Sequence, residues 1–447
     1  MSLDFLWEVF REHATEDAIL EARSQCTYES LLTQIAAAGE TIVHSGIARG
    51  SVVALEADFS AASIAMLLAL VERGTILVPI APTSGNRKSQ FFSIAQVQWQ
   101  VIVPSLGPAT FARVGGSADH PLYSRLREQD HAGLVLFSSG YTGASKAAVH
   151  DWFRLLPKYR RRRHRLRTIM FLLFDHIGGV DTLLQAISNG STVVIPPDRT
   201  PEVVAETIAR HRVEVLPAAP SFLTMLLLSE AHQRHDLSSL RYITYGAEVM
   251  PPATLHRLAS AFPGTTLLQK YGLTELGTLR SHSRSNDSLW VKVGGEGYET
   301  RVVDGLLQIK ASSTMLGYLN APSPISDDGW FMTGDAVEVD GDYLRILGRA
   351  SDLINVGGSK VYPAEVEAVI HEVENVAEVA VLGESHPLMG QIVVARVSLR
   401  SHEDANGVEH RIRVHCRTCL ESYKVPVRVD VVSPESLHTD RQKMTRR

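Results

Sequence analysis

Through the first two-thirds of the chain, apolar runs of strand length alternate with runs of helical period. Residues 31–42 have helical spacing, 51–55 read as a strand, 61–71 as a helix and 75–79 as the next strand. The rhythm returns at 168–174, 180–188 and 192–195, and again at 213–217, 221–229 and 242–245. Strand, helix, strand at this pace predicts parallel sheets covered by helices, because a parallel pair needs a long crossover and a helix supplies it. After about residue 290 the texture changes. Short strands at 300–303 and 306–310, separated by turn residues, predict a small antiparallel layer over about 290–348, in the form of a barrel. Beyond Gly348 a helix at 365–371, strands at 376–382 and 391–397 and a helix at 409–420 predict a separate small α+β unit. The fold class is α/β, and 447 residues leave room for two or three domains.

Charge and cysteine content exclude several function classes. A formal net charge of -5 argues against a dedicated nucleic-acid binder. Three cysteines cannot build a disulfide scaffold, so a reducing, cytoplasmic setting is expected. Cys416 and Cys419 form a single C-x-x-C with no second pair, and are expected to share a helix face rather than complete a zinc site. Residues 1–16 read as an amphipathic helix and not as a secretory signal. The most apolar run, 61–71, is broken by Ser63 and is too short to span a bilayer, so no membrane span is expected.

The residues that carry chemistry begin at 134–146. An apolar strand runs into Ser138, Ser139, Gly140, Tyr141, Thr142, Gly143, Ala144, Ser145 and Lys146. Hydroxyl donors, glycines that admit backbone N–H groups, and a lysine suit a polyphosphate. The spacing differs from that of the P-loop NTPases, and on its own the stretch also fits a polar strand-to-helix loop. Tyr271-Gly-Leu-Thr-Glu275 offers a carboxylate for a hard cation. Asp335, in Trp330-Phe-Met-Thr-Gly-Asp335, is a bidentate acceptor suited to a vicinal diol. Lys443 lies in a basic C-terminus. A further basic run, Lys158 to Arg167, reads either as a solvated surface or as a dock for an anionic partner.

In order, these segments resemble the signatures of the acyl-adenylate-forming (AMP-binding) superfamily of acyl-CoA synthetases, peptide-synthetase adenylation domains and luciferases. They are most like the acyl-CoA synthetases. The loop is similar to Ser/Thr-Ser-Gly-Ser/Thr-Thr-Gly-x-Pro-Lys-Gly, departing at Tyr141, Ser145 and Ala147. Tyr271 to Glu275 matches Tyr-Gly-x-Thr-Glu without departure, and 330–335 matches Trp-Phe-x-Thr-Gly-Asp. Gly348-Arg349 opens the next motif, with Ser351 where the family has Asp or Lys, and Gln442 stands where the family has glycine before its lysine.

The resemblance implies a large N-terminal domain of stacked α/β subdomains (1–348), a hinge (349–351, with Ser351 at the pivot) and a small mobile C-terminal lid (352–447). It implies that Ser138, Ser139, Gly140, Thr142, Gly143 and Lys146 hold the ATP phosphates. Thr274 would meet the α-phosphate and Glu275 would hold Mg²⁺. Tyr271, Asp335 and Arg349 would take the ribose or phosphate, and Gly246, Ala247 and Glu248 the adenine side. His176, Tyr245, Gly246 and Gly272 would border the acid. Lys443 would bridge carboxylate and phosphate, and Gly357 and Gly358 would line the thiol channel. The implied reaction makes an acyl-adenylate from a carboxylic acid and ATP, then passes the acyl group to coenzyme A. The alternatives are a carrier protein's phosphopantetheine thiol, an amine, or a non-catalytic nucleotide-binding relative.

Overall fold

The computed structural model describes residues 3–138, 145–295 and 297–437. Its first large sheet has seven strands in the order Thr266–Gln269, Tyr242–Tyr245, Val215–Ala218, Thr168–Ile169, Val193–Val194, Asp17–Leu20 and Gln25–Thr27. All neighbours are parallel except the last pair. The second, also of seven strands, runs Gly317–Tyr318, Lys146–Asp151, Gly133–Ser138, Ile76–Ile80, Val52–Glu56, Trp99–Ile102 and Thr110–Arg113. Its middle is parallel and its margins are antiparallel.

One hydrophobic cluster joins the two sheets. It takes Ile19 and Val193 from the first, Leu55 and Leu77 from the second, and residues of the helices Tyr28–His44, Ala61–Glu72 and Ile177–Ile187. Ala61–Glu72 is apolar on nearly every face, as a helix enclosed by other elements must be. Ser63, which breaks the apolar run in sequence, is fully buried yet satisfied. Its hydroxyl accepts from Ser60 N–H at 2.8 Å while Ser60 accepts from Ser63 N–H at 3.0 Å, a reciprocal cap at the helix start.

The β layer is a six-stranded antiparallel sheet, ordered Ser281–Ser283, Trp290–Val293, Tyr343–Arg349, Phe331–Asp340, Leu306–Ala311 and Tyr298–Val303. It begins at Ser281, ahead of the expected 290. Among the described residues its first and last strands share no ladder, so the pairing is that of an open sheet. The chain leaves this sheet at Arg349, turns through Ala350–Asp352 and enters a last sheet at Ile354–Val356. There Val376–His386 and Gly390–Leu399 form a long hairpin, covered by the helices Pro363–Ile370 and Ala405–Cys419. The two C-terminal cysteines do not share a face. Cys416 is sealed in the core beside Val408 and Ile412, whereas Cys419 is exposed.

Candidate active site

Gly133–Ser138 and Lys146–Asp151 pair antiparallel, with Ser138 opposite Lys146, so a strand and not a helix begins at Lys146, against the strand-to-helix reading. The reason lies in Ala147 to Val149. Ala147 and Val149 pack into one core with Val135 and Phe137, and Ala148 enters another beside Tyr271 and Leu276. A run buried on both faces is stable as an inner strand. Ser139, Gly140, Thr142 and Gly143 lie outside the described residues, as does Lys443. Asn320 fixes the start of the second strand: its amide donates to Ser145 O at 2.8 Å and accepts from Ala147 N–H at 3.0 Å.

Lys146 lies with its Nζ 5.4 Å from the ring centroid of Tyr318, and the Tyr318 hydroxyl donates to the Glu275 carboxylate. Both Glu275 and Tyr318 are buried. Gly272 belongs to a tight two-strand turn with Gly277–Thr278. A Cβ there would stand 2.9 Å from Gly277 O and from Thr278 Cα, so the motif's glycine is required by its own turn.

One residue of this region escaped the sequence reading. His150 is fully buried and lies on the same face of its strand as Lys146. Its Nε2 donates to the Thr274 carbonyl at 2.6 Å. Burial pushes its pKa down to about 4, so the ring is neutral and holds the Thr274–Glu275 backbone as an uncharged prop. The available signal was the spacing Lys146-x-x-x-His150, which in a strand puts both side chains on one side.

Asp335 is buried on the central strand of the β layer, directly opposite Arg349. Arg349 Nε lies 2.9 Å from Asp335 Oδ1, and the Tyr271 hydroxyl donates to Oδ2 at 2.5 Å. Thr333 orders the turn: its hydroxyl accepts from Asp335 N–H at 3.0 Å, and its carbonyl accepts from Arg349. Burial pushes the Asp335 carboxyl up, and the Arg349 guanidinium pulls it back. A carboxylate offers about four lone-pair directions. Tyr271 and Arg349 use two of them, and the remaining capacity suits the two hydroxyls of a diol.

The acyl side is built differently. His176 caps the helix Ile177–Ile187, its Nδ1 accepting from Gly178 N–H at 3.1 Å, and the ring is half-buried rather than a core residue. Tyr245 sits in the core of the first sheet with Phe222 and Met250, so packing accounts for its ring. A Cβ on Gly246 would meet Lys270 O at 2.3 Å, which makes glycine the only residue that fits between these strand ends. Ala247 has φ +70°, a left-handed conformation that costs an alanine free energy and marks a constrained turn. Glu248 accepts from Ser221 N–H at 3.0 Å at the start of the helix Pro220–Leu228, an acid placed on the positive end of a helix.

On the C-terminal side, Ser351 is exposed in the turn after Arg349. Gly357 and Gly358 are the two central residues of the hairpin between Ile354–Val356 and Ser359–Val361, with φ of +57° and +91°. Two consecutive positive φ values in a two-residue hairpin call for glycine. A Cβ on Gly357 would meet the Met389 methyl at 2.9 Å, whereas one on Gly358 would meet nothing within 4 Å.

The basic run is largely committed to partners of its own chain. Lys158 pairs with Asp181, Arg162 with Glu12 and Arg165 with Glu16, and Arg160 stacks over Phe5. The contacts to Glu12, Glu16 and Phe5 tie the first helix, Asp4–Glu12, and its following turn to the body. Residues 160–165 and Arg167 remain exposed, as the solvated-surface reading expected, and the pairing to the first helix is an addition to it.

The family model described as AMP-binding enzyme matches residues 6–318, and the one described as AMP-binding enzyme C-terminal domain matches 365–443. A methyl-dioxo-octahydro-indenyl propanoyl:CoA ligase of Rhodococcus jostii is 30% identical over 322 residues, 66% of this chain but 61% of that relative. The chain thus spans less than two-thirds of that relative's length. A long-chain fatty acid–CoA ligase of Mycobacterium tuberculosis is 26% identical, with 94% of this chain and 93% of the relative covered. Among solved structures, a variant of an amide bond synthetase from Marinactinospora thermotolerans superposes with a TM-score of 0.81 at 23% identity, over 98% of this chain and 96% of that one. The o-succinylbenzoate CoA synthetase of Bacillus subtilis gives 0.79 at 21%, over 99% and 96%. These two likenesses establish the fold.

Proposed function

The chain belongs to the AMP-binding enzyme family, and from that premise we propose that it activates a carboxylic acid with ATP and passes the acyl group to the thiol of coenzyme A. The observation that carries this reading is a connected set of contacts. Lys146, Tyr318 and Glu275 form one group, Tyr271, Asp335 and Arg349 a second, and the segment Tyr271 to Glu275 joins them, with the Glu275 charge felt at Asp335 and Arg349. A lysine, a carboxylate on a buried tyrosine and an acid with two lone-pair directions to spare are what phosphates, a hard cation and a ribose diol require.

In this reading Asp335 takes the ribose hydroxyls, and Arg349 orients that carboxylate and reaches toward the phosphate side. Lys146 and the hydroxyls of 138–142 hold the polyphosphate. Glu275 fits Mg²⁺, which binds through one or two carboxylates plus phosphate oxygens and would supply charge neutralisation at the α-phosphate. His150 fixes the Thr274 carbonyl, so that the Thr274 hydroxyl and the Glu275 carboxylate keep one orientation. Lys443, from the C-terminal unit, neutralises charge between carboxylate and α-phosphate during adenylation. The unit beyond the Ser351 turn then repacks to bring the Gly358 hairpin to the thiol, a hinge motion about a short linker.

Two half-reactions test this. Pyrophosphate–ATP exchange over a panel of acids is expected with at least one acid, and CoA consumption with the same acid. Lys443→Ala is expected to abolish exchange yet still convert supplied acyl-adenylate to thioester. Exchange with no acid in the panel would overturn adenylation. Exchange without CoA consumption would move the acceptor to a carrier-protein thiol or an amine.

A further inference from the structure

The surface of the C-terminal unit carries a second cluster of reactive side chains that no part of the proposed reaction uses. We propose that Glu372, His415 and Cys419 form a binding site for one divalent transition-metal ion, zinc by its donor set.

The three ligand atoms come from two elements fixed by a shared core. His415 and Cys419 stand one turn apart on the helix Ala405–Cys419, a spacing of four that points both side chains the same way. Glu372 lies just past the end of the helix Pro363–Ile370. Beneath them Ile370, Val373, Ile412 and Cys416 pack in one hydrophobic cluster. The backbone on both sides of Glu372 and of His415 is therefore held from below, and Cys416 itself faces inward.

The geometry is close to that of a coordination shell. Glu372 Oε2 lies 3.1 Å from His415 Nε2, Cys419 Sγ lies 3.9 Å from the same nitrogen, and all three atoms fall within 4.8 Å of one another. Zinc–ligand bonds of about 2.0 Å to nitrogen or oxygen and about 2.3 Å to sulfur, set tetrahedrally, separate donor atoms by roughly 3.3–3.6 Å. Small rotations of three surface side chains span the difference. An imidazole, a thiolate and a carboxylate are all zinc donors, and a three-residue set leaves the fourth position for water. An ion pair between Glu372 and His415 explains two of the residues and leaves the thiol unexplained.

Two features of the surroundings favour a cation. Cys419 ends its helix, where the aligned carbonyls present partial negative charge. Of the three arginines of that helix, two are already engaged, Arg411 by Glu403 and Arg413 by Glu409. Binding exchanges one proton for the metal: the Cys419 thiol becomes a thiolate, the S–H proton passes to solvent, and the sulfur lone pair forms the metal bond. The bound ion would clip the end of one helix to the end of the other. It would also mask the thiol that is exposed, since Cys26 and Cys416 are buried.

The test uses the full chain, stripped with chelator and desalted. Calorimetry with zinc chloride is expected to give one equivalent, and cobalt(II) chloride a thiolate-to-metal charge-transfer band. Cys419→Ala and His415→Ala should each weaken zinc binding by at least the ~10–100-fold that loss of even an outer-shell partner costs a metal site. Zinc should also slow alkylation of Cys419 in the unaltered chain, a readout independent of any variant's folding. No heat and no band would overturn the proposal. So would a band that survives Cys419→Ala, or alkylation of Cys419 that zinc leaves unchanged.

Discussion

The two ends of the candidate active site are built on opposite principles. On the N-terminal side, Glu275, Tyr271 and Asp335 are buried, and each is joined to a named partner before any ligand arrives. On the C-terminal side, Gly357 and Gly358 form an exposed hairpin, with open space where a Gly358 side chain would stand. The first arrangement holds charges in fixed positions, so that little reorganisation is needed when a phosphate reacts. The second offers backbone and room. Under the proposed function the first would hold the nucleotide and the second would let the acceptor thiol pass.

The sharpest way to break the comparison is to disarm the rigid end. Asp335→Ala leaves Arg349 and Tyr271 without their shared acceptor and removes the proposed diol partner. Charge-assisted hydrogen bonds of roughly 1.5–3 kcal/mol each imply a loss of ~100-fold or more in kcat/KM for ATP. Circular dichroism should stay unchanged. An unaltered ATP dependence would place the nucleotide elsewhere.

The buried prop supplies a pH test of the same rigidity. His150 has its pKa depressed from 6.5 to about 4 by burial, so the unfolded chain binds the proton that the folded chain refuses. Its contribution to stability is therefore complete above 6.5 and is lost as pH falls through the window down to about 4. At about 1.4 kcal/mol per pKa unit the full loss is on the order of 3 kcal/mol. Urea denaturation at about pH 7 and about pH 5 should show roughly 2 kcal/mol of it, and His150→Gln, which keeps an N–H donor, should flatten the slope. An equal slope in that variant would assign the acid sensitivity to another group.

Smaller effects are expected at the open end. Gly358→Leu forces a branched residue into a left-handed turn, at about 1–2 kcal/mol, and fills the approach to the hairpin. Thioester formation should slow by roughly tenfold while pyrophosphate exchange holds. Gly358→Asn, which tolerates this conformation, separates strain from obstruction. Loss of exchange in either variant would show that both ends move together. Least affected should be the pairs that tie down the first helix. Arg162→Gln with Arg165→Gln removes exposed ion pairs worth about 0–1 kcal/mol each, measured as a small fall in Tm with adenylation unchanged.

The alternation of apolar runs was enough to read the parallel sheets, because strand and helix periods are local properties of the chain. The order of the motifs was enough to read the family. Gly357 and Gly358 were legible as special positions, though the hairpin that demands them was not. The chain from Lys146 onward was harder to place. Lys146-Ala-Ala-Val-His150 becomes a strand because one face meets Val135 and Phe137 and the other meets Tyr271 and Leu276. No window of local sequence contains those neighbours.

The same limit governed the site and the surface. Residue types alone determined that a phosphate-suited loop, a motif glutamate and a diol-suited aspartate exist in this chain, since hydroxyls, lysine and carboxylates carry their chemistry wherever they sit. Only the tertiary structure decided that Tyr318 supports Glu275, that His150 holds Thr274, and that Glu248 serves a helix start. It also turned Cys416 inward and Cys419 outward toward His415 and Glu372. The pairings at Glu275, Thr274 and Glu248 join residues distant in sequence. Their physical cause is burial, which obliges each enclosed polar group to find a partner that the fold alone can bring within reach.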